Sequence, residues 1–382
     1  MENIYINNAA TSFPKPESVY KAIDDFNRYL GANPGRGSNG QTVEAGSILL
    51  DAREALAALF KAEGSENIAF TANVTEAINL GLQGLLQPGD HVITTSMEHN
   101  SVARPLYAMS RLGVEWTAVP CNPDGGLDVR LVEKAIRPNT RLICMLHASN
   151  LTGTIMPIAD VGKIARDRGL VFMVDAAQTA GILELDINKQ YVDILAFTGH
   201  KALLGPQGTG GIYIRPGIRL KPLLFGGTGS LSESLEQPDW MPDRFESGTP
   251  NTPGIAGLLA GVNFVAETGI EVIHKREQDM TEALLQGLQV IPRVQTYGAG
   301  DSRQRTAVIA FNIEGMDCGD LTLRLEYEYG IITRSGLHCA YLAHKTLGTL
   351  QSGACRLSPG FFTSDEQIET VLRAIYAISH SA

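Results

Sequence analysis

The 382-residue sequence has no run of about 18 consecutive apolar residues, the length a membrane-crossing helix needs. Met1 to Thr11 holds no basic stretch followed by an apolar one, so no export signal is expected and the chain reads as cytoplasmic. Positive charge is scarce: Lys+Arg 31 against Asp+Glu 41 gives a formal net charge of -10. That balance repels phosphate backbones and anionic lipid, and no Lys or Arg run reverses it locally, so neither nucleic acid nor membrane is an expected partner. Cysteine is sparse as well. Cys121, Cys144, Cys318, Cys339 and Cys355 form no C-x-x-C pair and no regular framework, which argues against a disulfide scaffold or a zinc site. Reduced thiols are expected, no metal site is expected, and an odd count leaves at least one thiol free.

Low-complexity tracts and fixed-period repeats are also missing. Instead Gly 40 and Pro 18 are scattered as punctuation between short apolar runs, and 44% hydrophobic with 19% charged residues suffices for a large core. The runs alternate between strand and helix. Strands are expected at 68–71, 91–95, 114–119, 141–147, 170–174, 193–197 and 211–214. Helices are expected at 74–86, 128–136 and 158–168. Uninterrupted apolar strands separated by amphipathic helices imply a mostly parallel sheet covered on both faces, with ligands beyond the carboxyl ends of its strands. Between the last two strands, only Gly205 to Gly210 separates the intervening Leu203-Leu204 from the second, a gap that holds no full crossover helix, so that pair is expected to be antiparallel. Beyond about residue 255 the texture changes to one long helical stretch from 257 through 276 to 288, an alternating run at 307–313 and a helix at 366–379. These suggest a smaller α+β domain, with a boundary near Pro250 to Gly254.

The chemistry gathers at strand ends. Asp175 closes a buried strand in Val174-Asp175-Ala176-Ala177-Gln178, and Lys201 follows the next in Thr198-Gly199-His200-Lys201. Alone, the aspartate reads equally as a cap, a metal ligand or the partner of a buried cation, and the lysine as a solvated charge. Together they suggest pyridoxal 5'-phosphate: a desolvated amine suits Schiff-base chemistry, and an aspartate keeps the pyridinium nitrogen protonated. The passage from strand to helix through Asn73, Val74, Thr75 and Glu76 offers N–H groups to a phosphate, or else plain capping by Asn73 and Glu76. His99 would project over the same crevice. Cys339 lies in the polar segment Arg334-Ser335-Gly336-Leu337-His338-Cys339, where Arg334 and His338 are expected to lower its thiol pKa and make it a nucleophile. Cys144, inside an apolar strand, reads as structural. Arg356 reads as a carboxylate ligand or as a surface charge.

With these residues on view, the sequence resembles the class V aminotransferase family, and within it the group II, Suf-type cysteine desulfurases. The resemblance rests on Tyr5-Ile6-Asn7-Asn8-Ala9-Ala10-Thr11, Met97-Glu98-His99, His147-Ala148-Ser149-Asn150, Asp175-Ala176-Ala177-Gln178, Thr198-Gly199-His200-Lys201, Phe245 to Thr252 and Cys355-Arg356-Leu357-Ser358. It implies the α/β, PLP-dependent transferase fold of type I: a large domain (15–250) with a mostly parallel seven-stranded sheet, and a small domain from 1–14 and 251–382. It implies that Lys201 joins the cofactor aldehyde, Asp175 partners the ring nitrogen, Gln178 the ring hydroxyl, and that His99 stacks on the ring. Val74, Thr75, Thr198 and His200 would hold the phosphate, with Thr249 supplied by the second subunit of a homodimer. Asn150 and Arg356 would hold the substrate carboxylate, Arg334 would flank the loop, and Cys339 would receive sulfur from L-cysteine and pass it to an acceptor protein for iron–sulfur or other sulfur-cofactor assembly. L-selenocysteine is a possible second substrate. Other readings are a selenocysteine lyase, another class V aminotransferase or lyase, and a non-catalytic sulfur-relay protein. The sequence departs from the family at Asn7, usually aspartate, at Leu337, where many members have a second histidine, and at Tyr341, often proline.

Overall fold

The computed structural model describes residues 3–35 and 39–381. Thirteen strands occur among them. β1 (Ile4–Tyr5) precedes β2 (Ile68–Thr71), β3 (His91–Thr95), β4 (Glu115–Val119), β5 (Thr140–Leu146), β6 (Val171–Asp175), β7 (Ile194–Thr198) and β8 (Gly210–Ile214). β9 (Val294–Tyr297), β10 (Ile309–Ile313), β11 (Ile331–Ile332), β12 (Arg334–Gly336) and β13 (Ala354–Leu357) follow. The seven strands β2 to β8 make one sheet in the order β2-β8-β7-β6-β5-β3-β4. β7, β6, β5, β3 and β4 pair in parallel, and β8 runs antiparallel to both its neighbours, as the short connection from Thr198 to Gly210 requires.

Side chains alternate across this sheet and fill two cores. On one face Met173, Ile194, Leu142 and Val92 pack beneath the helices Val74–Leu85 and Asn100–Ser110. On the other, Phe172, Leu195, Ile143 and Ile93 pack beneath Gly40–Phe60, Ile158–Asp167 and Thr252–Thr268. Both faces are dry, which is why these strands carry no polar alternation. The C-terminal part is α+β: an antiparallel sheet β12-β13-β10-β9 is covered by the helices Ile270–Gln289, Cys318–Tyr329 and Asp365–Ser381 around its own core of Leu284, Leu288, Ile309, Phe311, Leu325 and Ile375. β1 adds to β11 in parallel, so the chain's first strand belongs to this layer.

The long helical stretch expected from 257 to 288 is two helices. Thr252–Thr268 and Ile270–Gln289 meet at 83°, and Gly269 between them takes φ +89. Periodicity runs through such a bend because both helices bury an apolar face, the first against the large sheet and the second in the small core. Arg305 ties the layers together: fully buried, it donates to the carbonyls of Thr152, Tyr297, Ala299 and Val308. Among the described residues no single helix is long and apolar enough to cross a bilayer.

Candidate active site

Five strand ends converge beyond the carboxyl edge of the large sheet. Asp175 ends β6, Thr198 ends β7 with Lys201 three residues on, Leu146 ends β5, Thr95 ends β3, and Thr71 leads from β2 into the helix at Val74. A cavity of about 30 Å³ lies there, lined by Val74, His99, Asn150, Asp175, Gln178 and Lys201, together with Ser101. Lys201 is partly buried, and its amine has no hydrogen-bond or ion-pair partner among the described residues. Burial lowers its pKa to about 8; Asp175 opposes that shift, and Arg356 and Arg334 reinforce it. Asp175 takes one hydrogen bond, from the Ala177 N–H at 2.9 Å, and its burial raises the carboxyl pKa against the pull of Lys201.

His99 caps the helix Asn100–Ser110. Its Nδ1 accepts the Ser101 N–H at 3.0 Å, so the ring proton sits on Nε2, and burial with the Lys201 charge lowers its pKa to about 4. It is a neutral imidazole over the cavity. Gln178 donates Nε2 to the Ala9 carbonyl at 3.1 Å, bringing the N-terminal segment to the site. At the head of the next helix both readings of the sequence hold in part. Asn73 caps the Glu76 N–H and Glu76 accepts the Ala72 N–H, while the N–H groups of Val74 and Thr75 have no partner among the described residues. Nδ1 of His200 is likewise buried and unpartnered.

Not all the expected residues line this cavity. Thr75 is exposed, Thr198 is buried with its hydroxyl 3.4 Å from the Thr209 carbonyl, and His200, outside the lining, has its carbonyl taken by Ser12. Thr249 is exposed on a separate, wide cleft with Thr71, Ala72 and Glu76; its loop is tied to β2 by Glu246, which accepts the Phe70 N–H and pairs with Arg53.

Cys339 lies outside the cavity lining but within electrostatic reach of Lys201. It is exposed, whereas Cys144, Cys318 and Cys355 are buried and Cys121 is partly buried, all with thiol pKa values raised by burial. His338 and Cys339 both take left-handed backbone, φ +49 and +54, a conformation that side chains other than glycine adopt only under constraint. Two donors supply the constraint: Asn150 Nδ2 to the His338 carbonyl at 2.8 Å and the Asn100 N–H to the Cys339 carbonyl at 2.7 Å. The expectation that His338 lends positive charge to the thiol is corrected. Its Nε2 is 2.9 Å from the Ala354 carbonyl, and burial beside Arg356 lowers its pKa to about 3, so it is neutral. Arg334 is the adjacent cation, with Nη2 3.8 Å from the sulfur.

The surface-charge reading of Arg356 is likewise corrected, for the side chain is entirely buried. Nη1 donates to the Asn150 carbonyl and Nη2 to Asn7 Oδ1, at 2.8 and 2.9 Å, while Nε has no partner. Arg356 faces Arg334 directly across β12 and β13, and neither has a carboxylate partner among the described residues. Sequence reasoning missed Ser101, which fixes the His99 tautomer, and Glu98, fully buried beneath the site. Glu98 accepts from Thr95 Oγ1 at 2.6 Å and from the Leu146 N–H, with its pKa raised to about 8 by burial. The triplet Met97-Glu98-His99 was the available signal for Glu98, and Ser101 had none.

A strand-end lysine and aspartate in a doubly covered parallel sheet define the type I class of pyridoxal phosphate folds. The chain belongs to the class V aminotransferase family, whose model matches residues 4–371, and that family is pyridoxal 5'-phosphate-dependent. It is 35% identical to a probable cysteine desulfurase of Methanothermobacter thermautotrophicus, over 96% of this chain and 92% of the relative. It is 32% identical to the cysteine desulfurase of Serratia proteamaculans, over 98% and 93%. Among solved structures it matches the apo cysteine desulfurase of Thermococcus onnurineus with TM-score 0.93 and 33% identity, covering 100% of this chain and 95% of the other.

Proposed function

We propose that the protein is a cysteine desulfurase that converts L-cysteine to L-alanine and leaves the sulfur as a persulfide on Cys339. The observation that carries this reading is a pair of facing arginines without carboxylates, in electrostatic reach of both a partly buried lysine and an exposed, conformationally constrained cysteine. Asp175 and Lys201 fit pyridoxal phosphate at its ring nitrogen and aldehyde. The free N–H groups of Val74 and Thr75 and the unpartnered His200 Nδ1 fit its phosphate, alongside Thr198, with Gln178 at the ring hydroxyl and the neutral His99 on the ring face. When bound, the cofactor supplies the electron sink that stabilises a carbanion at Cα and loosens the Cβ–S bond.

The chain's own groups do the rest. Arg356 and Asn150 hold the substrate carboxylate, which supplies the counter-charge that the arginine pair lacks. The neutral Lys201 amine removes the Cα proton and later returns a proton to the product. The Cys339 thiolate attacks the substrate sulfur: the Cβ–S bond breaks, an S–S bond forms, the sulfur is oxidised to the sulfane level and the carbon skeleton is reduced to alanine. Arg334 sits beside the sulfur through this step.

The sulfur then passes to an acceptor protein that approaches Cys339 between the exposed Leu337 and Tyr341, serving iron–sulfur or related assembly in the cytoplasm. The working unit is a homodimer, supported by the exposed Leu224, Phe225 and Trp240 near the Thr249 cleft, with Thr249 completing the phosphate site of its partner. The test is incubation with L-cysteine and dithiothreitol. Alanine and sulfide should form in equal amounts, and Cys339→Ala should keep the cofactor's visible band while losing sulfide. Equal output from Cys339→Ala would overturn the route, and transamination without sulfide would indicate another class V activity. L-selenocysteine run in parallel ranks the two substrates.

A further inference from the structure

Lys201 and Gln178 have a second side. Behind them lies another cavity, of about 40 Å³. It is enclosed by the N-terminal segment, the turn at Ser358 to Phe362 and the helix Ile270–Gln289. Ile182, Leu204, Val308 and Phe361 make its walls apolar. Polar side chains in the wall are mostly engaged within the protein. Asn8 holds the Ser358 carbonyl and the Phe13 N–H, Ser358 Oγ accepts the Ala9 N–H, and Gln178 donates to the Ala9 carbonyl.

Glu277 is different. It projects from the helix Ile270–Gln289 into this wall, is only 7% exposed, and its carboxyl has no hydrogen bond or ion pair among the described residues. The cation beside it in sequence, Arg276, is committed elsewhere, to Asp365 and the Thr363 carbonyl. A buried carboxyl without a partner is destabilising unless it is protonated or meets a cation. The cavity therefore combines a small apolar body with a single acceptor that lacks a donor, the pattern of a small-ligand site in which one polar group fixes orientation.

We propose that this cavity binds a compact organic cation, a protonated amine with a short apolar body, whose charge is met by Glu277 and whose body packs on Ile182, Leu204, Val308 and Phe361. The site is coupled to the reactive one, because Gln178 and Lys201 line both cavities. An occupant touches the reverse side of two residues that face the cofactor, without entering the substrate's place.

The experiment uses the holoenzyme and tetramethylammonium, which carries its charge at every pH and cannot react with an aldehyde. tert-Butanol serves as a neutral probe of similar size. Calorimetry should show saturable 1:1 binding of tetramethylammonium and none of tert-butanol, with a small shift of the cofactor's visible band at saturation. Burial alone raises the Glu277 pKa, to about 8, and no neighbouring charge contributes; Lys201 is the other ionisable group in the wall. Binding should therefore be roughly thirtyfold tighter at pH 9 than at pH 6.5, as the carboxylate ionises. Glu277→Gln should weaken it at least tenfold. Absence of saturable binding at pH 9, equal binding of tert-butanol, or undiminished binding by Glu277→Gln would each overturn the site, and an unchanged visible band would overturn the coupling. Should Glu277→Gln not fold, the pH and neutral-probe comparisons on the wild type decide. None of these measurements depends on desulfurase turnover.

Discussion

Arg334 and Arg356 stand face to face on neighbouring strands with no acid between them, so an arriving carboxylate removes a repulsion as well as making hydrogen bonds. Asn7 helps to keep it so, since its amide oxygen satisfies Nη2 without neutralising the guanidinium. Asn7→Asp would place an anion there in competition with substrate. The expected outcome is a several-fold rise in KM for cysteine with kcat little changed, measured by steady-state alanine formation. Arg356→Lys, which loses the planar fork, should raise KM by roughly tenfold or more. Lys201 gives a pH signature. Its pKa of about 8 makes the neutral amine increasingly abundant up to that pH, so cofactor capture by the apoprotein should accelerate about tenfold from pH 7 to 9 and then level off. A rate still climbing tenfold per unit at pH 10 would indicate an ordinary, solvated lysine. Lys201, Asp175 and Cys339 stood out in the sequence because each breaks an apolar run or a polar loop with one reactive group. Ser101 and Glu98 did not: Ser101 acts through a local cap on His99 that its residue type does not announce, and Glu98 through the Leu146 backbone, a contact that exists only once strands β3 and β5 lie side by side.

Among the elements, the buried strands declared themselves by being apolar without alternation, and the antiparallel β8 by its short connection. The two helices before residue 68, Glu17–Asp25 and Gly40–Phe60, left no such mark in the pattern; the second carries buried Ala45, Ala52, Leu56 and Phe60 between small and polar residues. The break at Gly269 was hidden for the opposite reason, both of its helices being apolar on their inner faces. Gly269→Ala tests the bend: φ +89 is unfavourable for any side chain, although the nearest side-chain atom lies 3.7 Å away, so the substitution should cost about 1–3 kcal/mol in denaturant unfolding through backbone strain alone. The loop after β3 gives a further test. Glu98 holds its proton up to about pH 8 in the folded chain and releases it near its ordinary range when unfolded. Between those values the folded state binds the extra proton, so stability should fall as pH rises from about 5 to 8. Glu98→Gln should remove part of that slope in thermal scans.

For the whole molecule, the exposed Phe225, 75% accessible, and Leu224 give the proposed homodimer a surface to bury. Sedimentation should give a particle of twice the 41.1 kDa chain mass. Phe225→Glu should shift it towards the single chain and weaken cofactor retention together, because Thr249 would no longer reach its neighbour's phosphate site. A fully active 41.1 kDa particle would refute the shared site. The layering of the molecule was visible in the succession of apolar runs, but the return of β1 to the C-terminal layer was not, since a two-residue strand carries no period. The four carbonyls gathered by Arg305 have a mechanical meaning. They rivet the turn that bears Asn150 to the strands of the smaller layer, so the two layers cannot hinge apart along that seam.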